Sequence, residues 1–388
     1  MTFDELKERL ASCSIEEHAM LVLLAMAGEP MGRQRILEHM RALGAALPPA
    51  QWADELARLR GAGLLLDANE RGMAIVPFAA WPVLDRALDN GLFAQVAAAY
   101  GQVSPLRRDW QGNLMLRSYR QGLALLRIAL LTGEGEDVVT PLLDACLRCH
   151  EANYLHPLVD VCARPFEPAL IERIHPRLRE RVLQVLVLHL LNEPAIAPAV
   201  RACAERYLPR SSPESPLRLA LGEHYLLCGR LDDTLEMVAE MGDSPGLFLR
   251  SVVQILRDDL DAGLAGVEAA LKQLRKETGK RKATFDGPAA HLAVAALLRS
   301  TDAGQRKLLD AWLESVTRSV QRPENAVWFQ LGMLHEVRRG TVDADLFATR
   351  SWEMALEPTV FRALIHYWLG LSALAHQRTR IEDMLAQS

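Results

Sequence analysis

The sequence predicts a mainly α-helical chain, with an N-terminal winged-helix-like unit followed by an α-solenoid of stacked helical hairpins. Three observations carry this expectation. Leu and Ala are abundant while aromatic residues make up only 6% of the 388, a mixture that favours helix. Apolar residues recur at helical spacing through most of the chain beyond residue 110. Breaks rich in Gly and Pro, such as Gly133-Glu134-Gly135, Glu193-Pro194, Gly242 to Gly246 and Arg322-Pro323, divide that stretch into pieces. Their spacing of about 30 to 40 residues is that of one helical hairpin per repeat.

In chain order, residues 1 to 80 predict the winged-helix-like domain. Phe3, Leu6 and Leu10 mark one side of a short first helix. Ser14-Ile15-Glu16-Glu17 reads as a capping box opening a helix to about Ala27, which Gly28 can end. Helices over 33–43 and 50–60 follow, the latter with Trp52, Leu56 and Leu59 facing inward. Leu64 to Leu66 and Met73 to Val76 then predict a hairpin with a polar tip around Asn69, Arg71 and Gly72.

Residues 81 to 121 are expected to connect, with a helix over 81–100. Residues 122 to 388 are expected to form the helical-repeat array. Its clearest unit is Leu217 to Met241, two short helices hinged at Gly229. Leu221, Gly222 and Tyr225 match the core of a tetratricopeptide repeat, whereas the other units match it poorly. Later pairs are expected over 247–274, 291–316 and 327–356, and a further unit starts at Phe361. A lone hairpin cannot bury its apolar face, so the units must stack. Residues 381 to 388 lack an obvious polar capping helix, which predicts a chain that continues into a longer protein.

The totals narrow the function. Net charge is -5, so no global positive field draws nucleic acid to the chain. The N-terminus lacks the basic start and unbroken apolar run of a secretory leader. The apolar run 182–191 is too short to span a bilayer. Six cysteines in a chain this long predict reduced thiols and a cytoplasmic location, with no membrane partner.

No enzyme motif is complete. The Walker pattern, the dinucleotide glycine fingerprint, H-E-x-x-H and G-x-S-x-G are all missing from the sequence. Cys146-Leu147-Arg148-Cys149-His150 fits haem attachment in letters, but that chemistry belongs to exported proteins. The same residues with His156 or Cys162 have zinc-ligand types, yet no second Cys-x-x-Cys accompanies them. The expectation is a non-catalytic chain without metal or cofactor.

Local charge is more informative. Only six of the 44 basic residues are Lys, and four of those six fall between 272 and 282. Lys272, Arg275, Lys276, Lys280, Arg281 and Lys282 stand against Glu277 alone, a net of +5. Cations at a helix C-terminus are favoured by its dipole. Such density on an acidic chain also suits phosphate contact, and these six are the first candidates for DNA or another polyanion. Weaker nucleic-acid candidates are Arg107, Arg108, Arg117 and Arg120, interleaved with Trp110 and Tyr119 on expected helical repeats. Arg58 on the third helix and Arg71 at the hairpin tip complete the set. Residues 1 to 80 carry eight basic against eleven acidic residues, which weighs against groove reading by that helix.

Leu271 to Lys282 with Phe285-Asp286-Gly287, and more weakly Gly122 to Gly133, resemble the N-terminal region of bacterial Swi/Snf-type helicases of superfamily two. The resemblance implies an accessory or regulatory module beside a DNA-translocating ATPase motor. Every motor motif is missing from these residues, so ATP hydrolysis is not implied for them. The alternative is a free-standing scaffold that binds protein partners along the repeat surface, in transcription or signalling.

Overall fold

The computed structural model describes residues 3–45, 48–67, 72–149, 156–189, 196–300 and 302–317, together with 328, 331, 332 and 335. Among these the chain is mainly helical, with strand confined to two short antiparallel ribbons. It divides into two compact units, residues 1–186 and 187–388.

The first unit opens with α1 (Phe3–Ala11), α2 (Ile15–Ala27), α3 (Arg33–Ala42) and α4 (Pro49–Gly61). Ribbon strands β1 (Leu65–Asp67) and β2 (Met73–Ile75) follow, paired Leu65 to Ile75 and Asp67 to Met73. Helix α2 is the hub. Every residue from Ala19 to Ala27 is buried. A helix that is apolar all round has to lie inside, and this one is enclosed by the elements that follow it. Its start is fixed by the expected capping box: Ser14 Oγ accepts from Glu17 N at 3.1 Å, and Glu17 Oε2 accepts from Ser14 N at 2.8 Å. Gly28 ends it in the left-handed conformation, φ 66°.

The single helix expected over 81–100 is instead two, α5 (Pro77–Asp89) and α6 (Leu92–Val103). Asn90 Oδ1 accepts from Leu92 N at 3.0 Å across the break, and Gly91 takes φ 79°. A side chain that bonds its own downstream backbone offers the chain a turn in place of another helical turn. Both helices pack on α2.

The basic stretch after it also departs from expectation. Arg107 and Arg108 lie not on a helix but on β3 (Arg107–Arg108), paired with β4 (Leu114–Met115). Asp109 makes the turn: its Oδ1 accepts from Gln111 N and Asn113 N, each at 2.8 Å. That local bonding outcompetes helix, as Asp and Asn commonly do. The unit then continues through α7 (Tyr119–Leu131), α8 (Glu136–Arg148), α9 (Pro157–Cys162), α10 (Pro168–Arg173) and α11 (Pro176–Leu188), which runs just past the division.

The second unit is a succession of packed helices: α12 (Ala197–Tyr207), α13 (Pro216–Leu227), α14 (Leu231–Val238), α15 (Ser244–Leu256), α16 (Leu260–Thr278), α17 (Pro288–Arg299) and α18 (Ala303–Thr317). Each of α13 to α16 packs on the next, and α17 lies against α13, α15 and α16. Gly229 provides the expected hinge between α13 and α14, with φ 74°. Helix α16 lies close on α15 because Gly263 and Gly266 meet Ser251 and Ile255 where a Cβ would collide. The shared core includes Val238, Val252, Val267, Leu271, Val294 and Trp312, each essentially inaccessible to solvent. Burial of side chains of this size contributes about 1.5 to 3 kcal/mol each. The helix expected over 327–338, apart from residues 328, 331, 332 and 335, those expected over 347–356 and from Phe361, and the expected uncapped end at 381–388, lie outside the described residues.

Candidate polyanion-binding site

Helix α16 ends at Gly279, whose φ of 67° turns the chain into the loop 280–287. The six cations predicted from the sequence do not act alike here. Lys272 pairs with Glu268 at 3.0 Å, one helical turn back. Arg275 is half-buried and its Nε donates to Ala283 O at 3.3 Å, bracing the loop against its own helix. Lys282 lies 3.9 Å from Glu314, and its carbonyl accepts from Ser315 Oγ at 3.1 Å. Lys276, Lys280 and Arg281 are exposed and no carboxylate among the described residues pairs with them.

The one acid within the cluster points elsewhere. Glu277 accepts from Ser244 Oγ at 2.5 Å, from Ser244 N at 3.3 Å and from Gln273 Nε2 at 2.7 Å. The Ser244 hydroxyl bond holds its carboxyl below the usual carboxylate range. Its charge therefore sits at the N-terminus of α15, where a helix favours an anion, and not among the lysines.

The loop is anchored at its far end by aromatic packing. Phe285 stacks on Phe248 with ring centroids 4.1 Å apart. Trp312 Nε1 donates to Phe285 O at 3.3 Å, and Trp328 Nε1 donates to Asp286 Oδ1 at 2.8 Å. Gly287 takes φ 92°, and Ala289 N, in the first turn of α17, donates to Glu223 at 3.0 Å. Phe285, Asp286 and Gly287 are thus structural holds that fix the loop while its cations face outward. Sequence reading picked out these three but missed Trp312 and Trp328. Those partners lie 27 and 42 residues downstream, beyond the reach of any local pattern.

The weaker candidates divide as well. Arg58 pairs with Glu17 at 3.1 Å and with Glu55. Arg120 pairs with Glu29 at 2.9 Å. Both are thereby committed to structural contacts. Arg71 lies outside the described residues. Arg117 uses its backbone N–H to donate to Gln121 Oε1 at 2.7 Å. Arg107 and Arg108 are exposed on the β3–β4 ribbon, where Arg108 Nη1 donates to Gly112 O at 2.7 Å. Trp110 stands at the tip, 91% exposed. That combination of exposed basic and aromatic side chains is the one a nucleic-acid strand could stack on.

The cysteine candidates do not converge. Cys146 is fully buried in α8 against Gly122 of α7, and burial pushes its thiol up to about 12. Cys149 is exposed at the end of the same helix. Cys162 is likewise buried and pushed up to about 12. His150 lies outside the described residues, and His156 caps α9 by accepting from Leu158 N at 3.2 Å. These are packing and capping roles.

No family model matches the chain, and no curated protein and no solved structure matches it significantly. Among the described residues, no helix is long and apolar enough to cross a membrane.

Proposed function

We propose that the chain is a non-catalytic helical-repeat module that grips the phosphate backbone of DNA through Lys276, Lys280 and Arg281, as an accessory region beside a Swi/Snf-type DNA-translocating ATPase. One observation carries the reading: three exposed cations without a carboxylate partner among the described residues, Lys276 on the last turn of α16 and Lys280 and Arg281 on the anchored loop that follows, lie together, while the acid among them is turned toward Ser244. A fixed loop loses little conformational freedom on binding, so more of the electrostatic gain survives as affinity. The placement beside a motor draws on the sequence resemblance, whose main segment coincides with this loop and its anchors.

The test is salt dependence. Each phosphate neutralised in duplex DNA contributes about 0.9 to the slope of log K against log salt. Replacing Lys276, Lys280 and Arg281 together by Ala is expected to make that slope shallower by about 2 to 3. Fluorescence anisotropy on a labelled duplex at several salt concentrations reads it directly. An unchanged slope would reject the site and turn attention to the alternative, a scaffold for protein partners on the repeat surface.

A further inference from the structure

Arg127, on α7, is a buried cation: only 7% of it is exposed. Its Nη1–H donates at 2.6 Å to Met26 O, one of the carbonyls left without a helical partner at the end of α2. The guanidinium has five N–H donors, and among the described residues this is its one hydrogen bond. No carboxylate among the described residues pairs with it. Burial pushes it below the usual arginine range. A buried charge normally survives only when paired and hydrogen-bonded; here Cys162 and Asp160 act on the charge from a distance, and the remaining N–H groups are open to whatever fills the space beside them.

The surroundings leave room for a partner. The guanidinium sits over Gly28, where a Cβ would come within 2.5 Å of Nη1. Arg127 and Gly28 both line a cleft of about 250 Å³ in the first unit. Most of the wall is apolar, with Leu24, Ala80, Trp81, Leu84 and Leu170. Arg164 also lines the cleft, but its guanidinium pairs with Asp160 at 3.5 Å. Glu29 also lines it, but its charge is met by Arg120 at 2.9 Å and Arg35 at 3.7 Å. A dry cavity of about 150 Å³ already admits benzene. This cleft therefore has space for a six-membered ring and a short acidic arm.

We infer that the cleft is a binding site for a small apolar carboxylate, whose carboxyl group meets the free N–H donors of Arg127 while its hydrocarbon body lies against Trp81, Leu84 and Leu170. A planar guanidinium suits a carboxylate because it can donate two parallel bonds. The apolar walls favour an aromatic or branched aliphatic acid over a phosphate or sugar acid. This site is independent of the basic loop, which belongs to the other unit, and does not rest on the DNA reading.

The experiment is a thermal-shift and calorimetric titration of the full chain with 3-phenylpropanoate and with its neutral amide. Saturable stabilisation by the acid is expected, with the amide at least tenfold weaker. Ala80→Phe, which fills the cleft and leaves Arg127 in place, is expected to abolish the response to the acid, as is Arg127→Met. Equal binding of acid and amide, no binding of the acid at millimolar concentration, or undiminished binding to Ala80→Phe would each overturn the assignment. The comparison of acid with amide on the unaltered chain decides the matter even where a substituted chain fails to fold.

Discussion

The indole N–H of Trp328 holds the carboxylate of Asp286 at 2.8 Å, fixing the residue just before the left-handed Gly287. Trp328 is itself held in the core, with its ring against His291 at 4.5 Å and Trp312 at 6.5 Å. Trp328→Phe keeps most of that packing and removes the bond. A single side-chain hydrogen bond of this kind contributes about 1 kcal/mol. The substitution is expected to lower stability by about that amount and to speed amide exchange across residues 280–287. Equal exchange in both proteins would show that the other anchors, among them Phe285, Arg275 and Ser315, fix the loop without this bond.

His291 supplies a pH test of the same core. It is 2% exposed, and burial pushes it down to about 4, against a smaller opposing pull from Asp286. The folded state therefore keeps the ring neutral at pH values where the unfolded chain protonates it. The associated stability is fully present above the ordinary histidine value of 6.5 and is lost as pH falls from there toward 4. Its upper bound is about 3 kcal/mol, from the separation of the two values. Denaturant titrations of the parent and of His291→Phe, compared at pH 7 and pH 4.5, measure it. The parent should lose more stability than the variant across that interval, and parallel losses would place the acid sensitivity elsewhere.

Arg58 was a candidate for DNA contact from sequence, and the structure assigns it another task. Glu17 and Glu55 are both buried, and Arg58 bridges them from the surface. Burial and the neighbouring Glu55 raise the Glu17 carboxyl, partly offset by the Ser14 backbone bond and the Arg58 charge. Arg58→Ala is expected to lower Tm at neutral pH and to leave the salt slope of DNA binding unchanged. Without the guanidinium the two carboxylates repel, so the folded-state carboxyl rises further above its unfolded value. The loss should then shrink as pH falls through that raised value, where a proton replaces the arginine. A loss that is constant with pH would mean that the pairing matters little.

What was legible in the sequence was what neighbours in the chain decide. The Ser14–Glu17 box, the Gly28 stop and the Gly229 hinge each depend on residues within a few positions, and each is present as read. The mainly helical, repeat-like architecture followed from periodicity for the same reason. The role of a charge was not legible, because it depends on partners far along the chain. Arg120 meets Glu29 across 91 positions, and Arg127 meets Met26 across 101. Five of the six cations in the loop cluster looked equivalent in sequence to Lys280, yet three of the six are tied to their own surroundings. The β3–β4 ribbon was hidden by a different cause. Asp109 sets its turn through side-chain bonds that compete with helix inside a stretch whose apolar spacing is ambiguous.

The β3–β4 ribbon carries an aromatic side chain that a single substitution can test. Trp110 is 91% exposed at its tip, with Arg107 and Arg108 on the strand leading to it. An indole so placed buries almost nothing, so Trp110→Ala should leave Tm within error of the parent. A structural role is thereby separated from a contact role. Stacking of a base on an aromatic side chain is worth about 1 to 3 kcal/mol by alanine substitution. If the ribbon belongs to the nucleic-acid interface, the variant loses about fivefold or more in affinity for a single-stranded oligonucleotide. Replacing Lys276, Lys280 and Arg281 should instead weaken binding through the salt slope, because in the proposed function those side chains meet phosphate and not bases. Titrating both variants with the same oligonucleotide at two salt concentrations distinguishes the contributions: a loss independent of salt belongs to Trp110, and one that fades at high salt belongs to the loop. Full affinity in Trp110→Ala would remove the ribbon from the interface and leave the loop as its only candidate element.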